Sequence, residues 1–246
     1  IRPSELLPYD YSKENHSRLG FVYEGVTTYY GDLFLARSGV FSINQYFSEI
    51  DLRLKKHFDS YGRFHLSVAD ASFDTWLDGY VPGVPGRQVS IYTEGCLYAF
   101  MLDVLIRKHS ENKFSLDDVM RELYDQFGKM KKGYVEKDYQ KIAERFAGTN
   151  LEDFFSYYIY GTKDDENTLY DCLSFVGLKI YKQPSNNILE ANFGFKYSIE
   201  NQGLKVIAVF PGSPASHSLK VNDIIMENIS IEKSLQNFII QFHKSC

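Results

Sequence analysis

A change of hydrophobic period near residue 185 is the feature that most constrains the fold of this chain. Up to about residue 160, apolar side chains recur every three or four residues, which is typical of helices packed on a core. After the polar run 184–187, the pattern changes to short β-rich runs at 193–197 and 204–210. The sequence therefore predicts an α+β protein, with a helical part at residues 1–160, a connection at 161–187 and a small β-rich part at 188–246.

The first predicted helix carries a carboxylate outside its apolar stripe. The stripe consists of Leu19, Val22, Tyr23, Val26, Tyr30, Leu33 and Phe34. Glu24, Thr28 and Gly31 lie on a second face, which is suited to covering a polar site. The helix is expected to end near Arg37, before Ser38-Gly39. From spacing alone, a solvated carboxylate is the simpler interpretation of Glu24, because charged residues are mostly exposed.

The remaining elements are predicted from the spacing of apolar residues and from turn-forming residues such as Pro and Gly. Helices are expected at about 41–59, 96–108, 115–128, 136–147 and 151–160, with a loop rich in Pro and Gly at 82–86. Residues 173–181 are expected to form a strand, and the segment 164–167 is interpreted as a polar break. A short helix is expected after Pro214, and a further helix at 234–242.

Several separated strings resemble the glycyl aminopeptidase family of zinc peptidases. They are Ile1-Arg2-Pro3, Glu24-Gly-Val-Thr-Thr-Tyr-Tyr, Ser115-Leu-Asp-Asp-Val-Met-Arg and Gly148-Thr-Asn-Leu-Glu-Asp-Phe-Phe. The resemblance implies the helical half of a catalytic domain similar to those of thermolysin and aminopeptidase N, followed by a PDZ domain. In this family a His-Glu-x-x-His helix supplies two zinc ligands and the general base. The resemblance implies that Glu24 is the third zinc ligand and that Thr28 supports the ligand shell.

The His-Glu-x-x-His motif itself is absent from the 246 residues, since none of the six histidines has a second histidine four residues away. We therefore interpret the chain as a fragment of a longer zinc peptidase, cut just after the histidine helix. One carboxylate cannot replace three ligands, so the chain alone is expected to lack peptidase activity.

The resemblance implies a second functional residue, Tyr92. In the family, a Tyr a few residues before a Lys-Gly step donates a hydrogen bond to the oxyanion of the tetrahedral intermediate. Tyr92 lies three residues before Gly95, but Glu94 stands where the family usually has Lys, which leaves the local electrostatics open. On sequence grounds alone, Tyr92 is one of 19 tyrosines, and a packing residue is the simpler interpretation.

Residues 188–246 resemble a PDZ domain through the strings Pro211-Gly-Ser-Pro-Ala and Asp223-Ile-Ile, and we expect this domain to be truncated before its closing strand is complete. PDZ domains capture an extended peptide as an added strand, with a loop around its terminal carboxylate. The resemblance places that loop just before Phe193-Gly194-Phe195, assigns these three residues to peptide binding, and makes 234–242 the facing helix. A module that covers one side of the peptidase cleft and binds nothing is an equal alternative.

Composition excludes some classes of function. The chain is 44% hydrophobic and 16% aromatic with a net charge of -5, so a core is possible and a nucleic-acid partner is not indicated. No apolar run approaches the roughly 20 residues of a membrane helix. The cysteines, Cys96, Cys172 and Cys246, lack metal-ligand spacing and are interpreted as free thiols or buried residues. A cytoplasmic or a periplasmic location is equally compatible, because any signal peptide would precede Ile1.

The sequence thus predicts a piece of a zinc aminopeptidase that acts on peptide or protein substrates and favours small N-terminal residues such as Gly or Ala. This preference is implied by the resemblance alone. The alternatives are a catalytically incompetent scaffold whose PDZ-like part binds peptide C-termini or extended segments, and a helical interaction protein without peptidase ancestry.

Overall fold

The computed structural model describes residues 1–78 and 86–226, and the chain divides into two compact units, Ile1–Ile180 and Tyr181–Cys246. The first unit is helical, and the second contains a small antiparallel sheet, which confirms the α+β class. The predicted loop at 82–86, except for its last residue, and the predicted helix at 234–242 lie outside the described residues.

Ten α-helices are found in the described residues. They are α1 (Thr27–Arg37), α2 (Ile43–Asp59), α3 (Val68–Phe73), α4 (Thr75–Asp78), α5 (Ile91–His109), α6 (Leu116–Leu123), α7 (Glu136–Ala147), α8 (Glu152–Phe154), α9 (Glu166–Phe175) and α10 (Ile188–Phe193). Three π-helical segments, Phe21–Val26, Tyr124–Gly128 and Phe155–Ile159, adjoin α1, α6 and α8. Short 3₁₀ turns lie at Ser4–Leu6, Tyr61–Phe64 and Pro214–His217.

The π-helical segment changes which side of the first helix faces the core. Its wider turns shift the phase of the residues that follow, relative to an uninterrupted α-helix. Tyr29, which lies outside the predicted stripe, is consequently buried, whereas Phe34 is 56% exposed. The predicted stripe was therefore wrong at Phe34, although Tyr30 and Leu33 do pack against the core and the predicted end at Arg37 was correct.

Helix α5 runs through the core of the first unit and packs against the π-helical segment Phe21–Val26. It begins at Ile91, five residues earlier than predicted. Ser90 caps it, since the Ser90 hydroxyl oxygen accepts a hydrogen bond from the Thr93 amide at 3.2 Å. Tyr92 and Glu94 therefore lie in the first turn of α5 and not in a segment that leads into it.

A buried carboxylate connects α1, α5 and α6. The Tyr29 hydroxyl donates to Asp103 at 2.7 Å, and Asp103 also accepts from the Leu116 amide at 2.7 Å and from Arg107 Nε at 3.1 Å. Burial and the neighbouring Asp103 carboxylate raise the pKa of Tyr29, so its hydroxyl remains a donor. This network fixes the rotation of the helix that carries Glu24.

The first residues of the chain are also held on the first unit. The Ser4 amide donates to the Tyr134 carbonyl at 2.9 Å, and the Tyr134 amide donates to the Arg2 carbonyl at 3.2 Å. Tyr134 is buried, so this short pairing anchors the string Ile1-Arg2-Pro3 to the segment before α7.

The segment 161–187 differs from its prediction. Helix α9, Glu166–Phe175, occupies 10 residues of the predicted connection, including the start of the predicted strand, and it packs on α5 as part of the first unit. The helix ends before Gly177, which adopts a positive φ of 80°. Leu169, Cys172 and Leu173 supply its buried face, and this apolar spacing is helical.

The second unit is a three-stranded antiparallel sheet in the order β1 (Phe195–Glu200), β2 (Gly203–Val209) and β3 (Ile224–Ile225). Strands β1 and β2 pair from Phe195 opposite Val209 to Glu200 opposite Gly203, with an irregularity after Lys196. The core of the unit consists of Leu189, Phe195, Val206, Ala215, Leu219 and Ile225.

Among the described residues, every helix is too short or too polar to cross a membrane.

Candidate active site

Glu24 and Tyr92, which the sequence places 68 positions apart, meet in the structure. Glu24 lies in the π-helical segment before α1, and Tyr92 lies in the first turn of α5. Both side chains are half-buried. Desolvation raises the pKa of Glu24, and the hydrogen bond from the Tyr92 side chain opposes that rise. The two residues thus form a carboxylate–phenol pair on the first unit.

The pair exists because two helices cross at glycines. A Cβ atom on Gly25 would lie 2.4 Å from the Gly95 Cα atom, and a Cβ atom on Gly95 would lie 2.8 Å from the Gly25 Cα atom. No side chain fits between the two backbones. Each glycine follows a site residue closely, so this contact brings Glu24 and Tyr92 to the same location.

The Thr28 hydroxyl does not bind the Glu24 carboxylate. It donates to the Glu24 backbone carbonyl at 2.7 Å, and the Thr27 hydroxyl donates to the same carbonyl at 2.9 Å. Hydroxyl bonds of this kind satisfy carbonyls in widened helical turns. Thr28 therefore supports the backbone at Glu24, and its hydrogen is not available to a ligand shell.

A second group of ionisable residues lies in the interior beside α5. His57 Nδ1 is 2.7 Å from Glu94 Oε2, and His57 Nε2 is 3.3 Å from Asp165 Oδ1. All three side chains are at most 2% exposed. The Nε2 contact is not aligned as a hydrogen bond, so it is mainly an attraction between charges. The imidazole ring thus bridges two carboxylates.

The charges of this group are balanced by its neighbours. Burial lowers the pKa of His57, but Asp165 and then Glu94 raise it to about 9 overall. Burial raises the pKa of Asp165, but His57 and Arg63 hold it below its usual range. His57 is therefore an imidazolium at neutral pH. Glu94 stands where the resembling family usually has Lys, and its negative charge is balanced in the interior by the His57 imidazolium.

This group is also the one cluster of three potential metal ligands among residues 1–78 and 86–226. Its geometry favours an ion network, since the two ring nitrogens of His57 face different carboxylates and one metal ion cannot bind both nitrogens of one ring. Arg63 NH1, 3.6 Å from Asp165 Oδ1, adds a positive charge where a cation would bind. Glu24 is not part of this cluster.

We expect the stability of the first unit to fall as pH rises from about 6.5 to about 9. The folded-state pKa of His57 is raised from 6.5 to about 9, so the folded state holds the extra proton. Its contribution is complete below pH 6.5 and is lost as pH passes 9. Urea unfolding followed by fluorescence of Trp76, the single tryptophan, measures this. A free energy of unfolding that is constant or rises over this range would contradict the assignment.

The residues proposed for peptide binding are engaged within the second unit. The Gly194 amide donates to the Glu190 carbonyl at 2.9 Å, and the Gly194 carbonyl accepts from the Phe210 amide at 2.8 Å. Gly194 has φ of 72° and ends α10, while Phe195 is buried in the core. Phe193 is the last residue of a helix, so a helix replaces the expected loop at this point. The Gly194 amide is therefore not free to bind a carboxylate.

His57 and Asp165 were not recognised from the sequence. The sequence assigns His57 to no motif, because no second histidine lies at helical spacing, and it predicts that Asp165 lies in a polar break. One signal was present, since Glu94 is a carboxylate that immediately precedes an apolar helical run. A charge in that position needs a buried partner of opposite charge, which the chain supplies from α2.

Two comparisons with known proteins bear on this site. Residues 1–98, which include both Glu24 and Tyr92, match the sequence model of the M61 glycyl aminopeptidase family. The crystal structure of an aminopeptidase N family protein from Idiomarina loihiensis superposes with a TM-score of 0.82 and 29% sequence identity. The match covers 92% of this chain and 40% of that chain, so this chain spans less than half the length of the Idiomarina protein. No curated protein matches this chain.

Both comparisons thus find similarity to peptidases. More particularly, the resemblance to the glycyl aminopeptidase family is confirmed by the match over residues 1–98.

Proposed function

We propose that this chain forms one side of the active site of a zinc-dependent aminopeptidase that removes small N-terminal residues such as Gly or Ala. The observation that carries the proposal is the Tyr92 hydrogen bond to Glu24. It joins the residue that the family resemblance implies to be a zinc ligand with the residue that it implies to be the oxyanion donor. Both lie within the family-matched segment 1–98. The preference for Gly or Ala is supported by the family match.

Glu24 is suited to be one ligand of a zinc ion. Zinc accepts carboxylate oxygens together with imidazoles, and a zinc ion with an open position activates water as a Lewis acid. Glu24 is half-buried, and desolvation destabilises its free anion, so an approaching cation is attracted to it. Among the described residues, no group of three potential ligands includes Glu24. The remaining ligands would therefore come from a segment that carries histidines.

Tyr92 is suited to stabilise developing negative charge. Its hydroxyl is a donor that already faces a carboxylate oxygen, and it lies on a helix turn held rigidly by the Gly25–Gly95 contact. With Glu24 bound to a metal, this hydroxyl can donate to the oxygen of the scissile carbonyl as that oxygen gains charge. Tyr92 then binds the transition state more strongly than the substrate.

The experiment that tests the proposal is Tyr92→Phe in an active assembly that contains this chain. Removal of one oxyanion donor is expected to lower kcat by roughly 10²- to 10³-fold with little change in KM. Hydrolysis of glycyl-naphthylamide measures both constants. Tyr124→Phe, at a residue 52% exposed, is the matched control and should leave them unchanged. Equal activity of the Tyr92→Phe variant and the parent would refute the proposed role.

A further inference from the structure

The first turn of α5 is held from two opposite sides. Successive residues of an α-helix are about 100° apart, so Tyr92 and Glu94 project about 200° apart around the helix axis. Tyr92 contacts Glu24 on one side, while Glu94 contacts His57 on the other at 2.7 Å. Any rotation or displacement of this turn therefore alters both contacts together.

We infer that the His57 imidazolium is a positioning residue that holds Glu94, and through it the first turn of α5, so that Tyr92 stays against Glu24. This inference rests on the proposed function of Tyr92. His57 itself lies in the interior, where its ring nitrogens contact Glu94 and Asp165.

Three helix ends meet at His57 with complementary charges. His57 lies in the last turn of α2, where the helix dipole favours a cation. Glu94 lies in the first turn of α5, and Asp165 is the N-cap residue of α9, where the dipoles favour anions. The imidazolium thus joins the C-terminal end of one helix to the N-terminal ends of two others.

The surrounding charges indicate which contact depends most on His57. Asp165 also has Arg63 at 3.6 Å and a hydrogen bond with Tyr98, and the exposed Asp164 is 3.6 Å from the same arginine. Glu94, by contrast, forms a single ion pair within the described residues, and its partner is His57. Loss of the imidazolium charge therefore leaves Glu94 as the buried anion that is least compensated.

The test is amide hydrogen exchange of the full chain, followed at residues 93–96 and corrected for intrinsic rates, between pH 6 and pH 10. In the parent chain, protection of these amides is expected to fall as pH passes about 9. In His57→Gln, protection at pH 7 should already be lower by on the order of a hundredfold and should no longer depend on pH in this range. The control is His109→Gln, at an exposed residue in the last turn of the same helix, which should keep the parent profile.

A second variant distinguishes loss of charge from loss of packing. In the double variant His57→Gln with Glu94→Gln, no uncompensated anion remains, so much of the lost protection should return. If the double variant is as poorly protected as His57→Gln, or if His57→Gln matches His109→Gln, the inference is wrong.

Kinetics in an active assembly separate this inference from the proposed function. His57→Gln should lower kcat and leave KM nearly unchanged, as Tyr92→Phe does. If Tyr92→Phe lowers kcat and His57→Gln does not, the positioning role fails and the proposed function stands. If Tyr92→Phe has no effect, the proposed function fails, while the exchange measurement still decides whether His57 holds the turn.

Discussion

Glu24→Gln is expected to abolish zinc-dependent hydrolysis by an active assembly that contains this chain. The amide is nearly the same size as the carboxylate but carries no charge, so it binds a metal cation weakly. Lewis-acid stabilisation contributes several kcal/mol, and each 1.4 kcal/mol or so is a factor of ten in rate. We therefore expect kcat to fall by at least about a thousandfold, together with the zinc content.

The control for this variant is Glu14→Gln, which removes the same charge from an exposed residue of the same unit. It should retain both zinc and activity. Circular dichroism should show that both variants are folded, since Glu24 is half-buried and its neutral form is not penalised by desolvation. A Glu24→Gln variant with full zinc content and parent activity would show that Glu24 is not a ligand.

Gly25→Ala is expected to destabilise the first unit by on the order of 3 kcal/mol. The added Cβ atom would lie 2.4 Å from the Gly95 Cα atom, and the obstacle is backbone that cannot rotate away. The two helices must separate, which costs contacts along the whole α5 interface as overpacked cores do. Urea unfolding followed by Trp76 fluorescence measures the effect.

Gly31→Ala is the matched control on the same helix. Apart from the backbone of its own helix and its chain neighbours, no atom lies within 4 Å of a Cβ atom at Gly31, so the expected effect is that alanine favours the helix. It should raise stability by roughly 0.5–1 kcal/mol. If Gly25→Ala unfolds at the same urea concentration as the parent, the helices do not cross as described.

Local chemistry made much of the fold predictable. The helix α2 was predicted to within two residues of its observed bounds because its apolar spacing and its charged face are regular. The end of α7 at Gly148 was predicted because glycine tolerates the left-handed conformation there, with φ of 68°. The strands β1 and β2 were predicted from alternating β-rich runs.

The errors arose where tertiary contacts override local pattern. The π-helical segment Phe21–Val26 shifts the buried face of α1, and its amino-acid sequence does not predict a widened turn. The alternation Leu173-Ser174-Phe175 predicts the start of a strand, but so short an apolar pattern is shared by buried helices. Likewise, the burial of Asp165 depends on His57, which is 108 positions away in the sequence.

The candidate site was predicted in part. The resemblance singled out Glu24 and Tyr92, and the structure brings them together; their catalytic roles remain proposals. Periodicity alone contained no sign of this proximity, because it depends on a crossing of glycines 70 positions apart, Gly25 and Gly95. The network of His57, Glu94 and Asp165 needed the fold, since opposite charges become informative only when burial is known.

The most direct test of the account is the zinc content and glycyl-naphthylamide hydrolysis of this chain, measured alone and with a segment that carries the His-Glu-x-x-His helix. We predict neither stoichiometric zinc nor turnover for the chain alone. The complex should bind one zinc ion per chain and hydrolyse the substrate, and both properties should be lost in Glu24→Gln. Stoichiometric zinc with turnover in the chain alone, or a zinc-loaded complex indifferent to Glu24→Gln, would contradict the account.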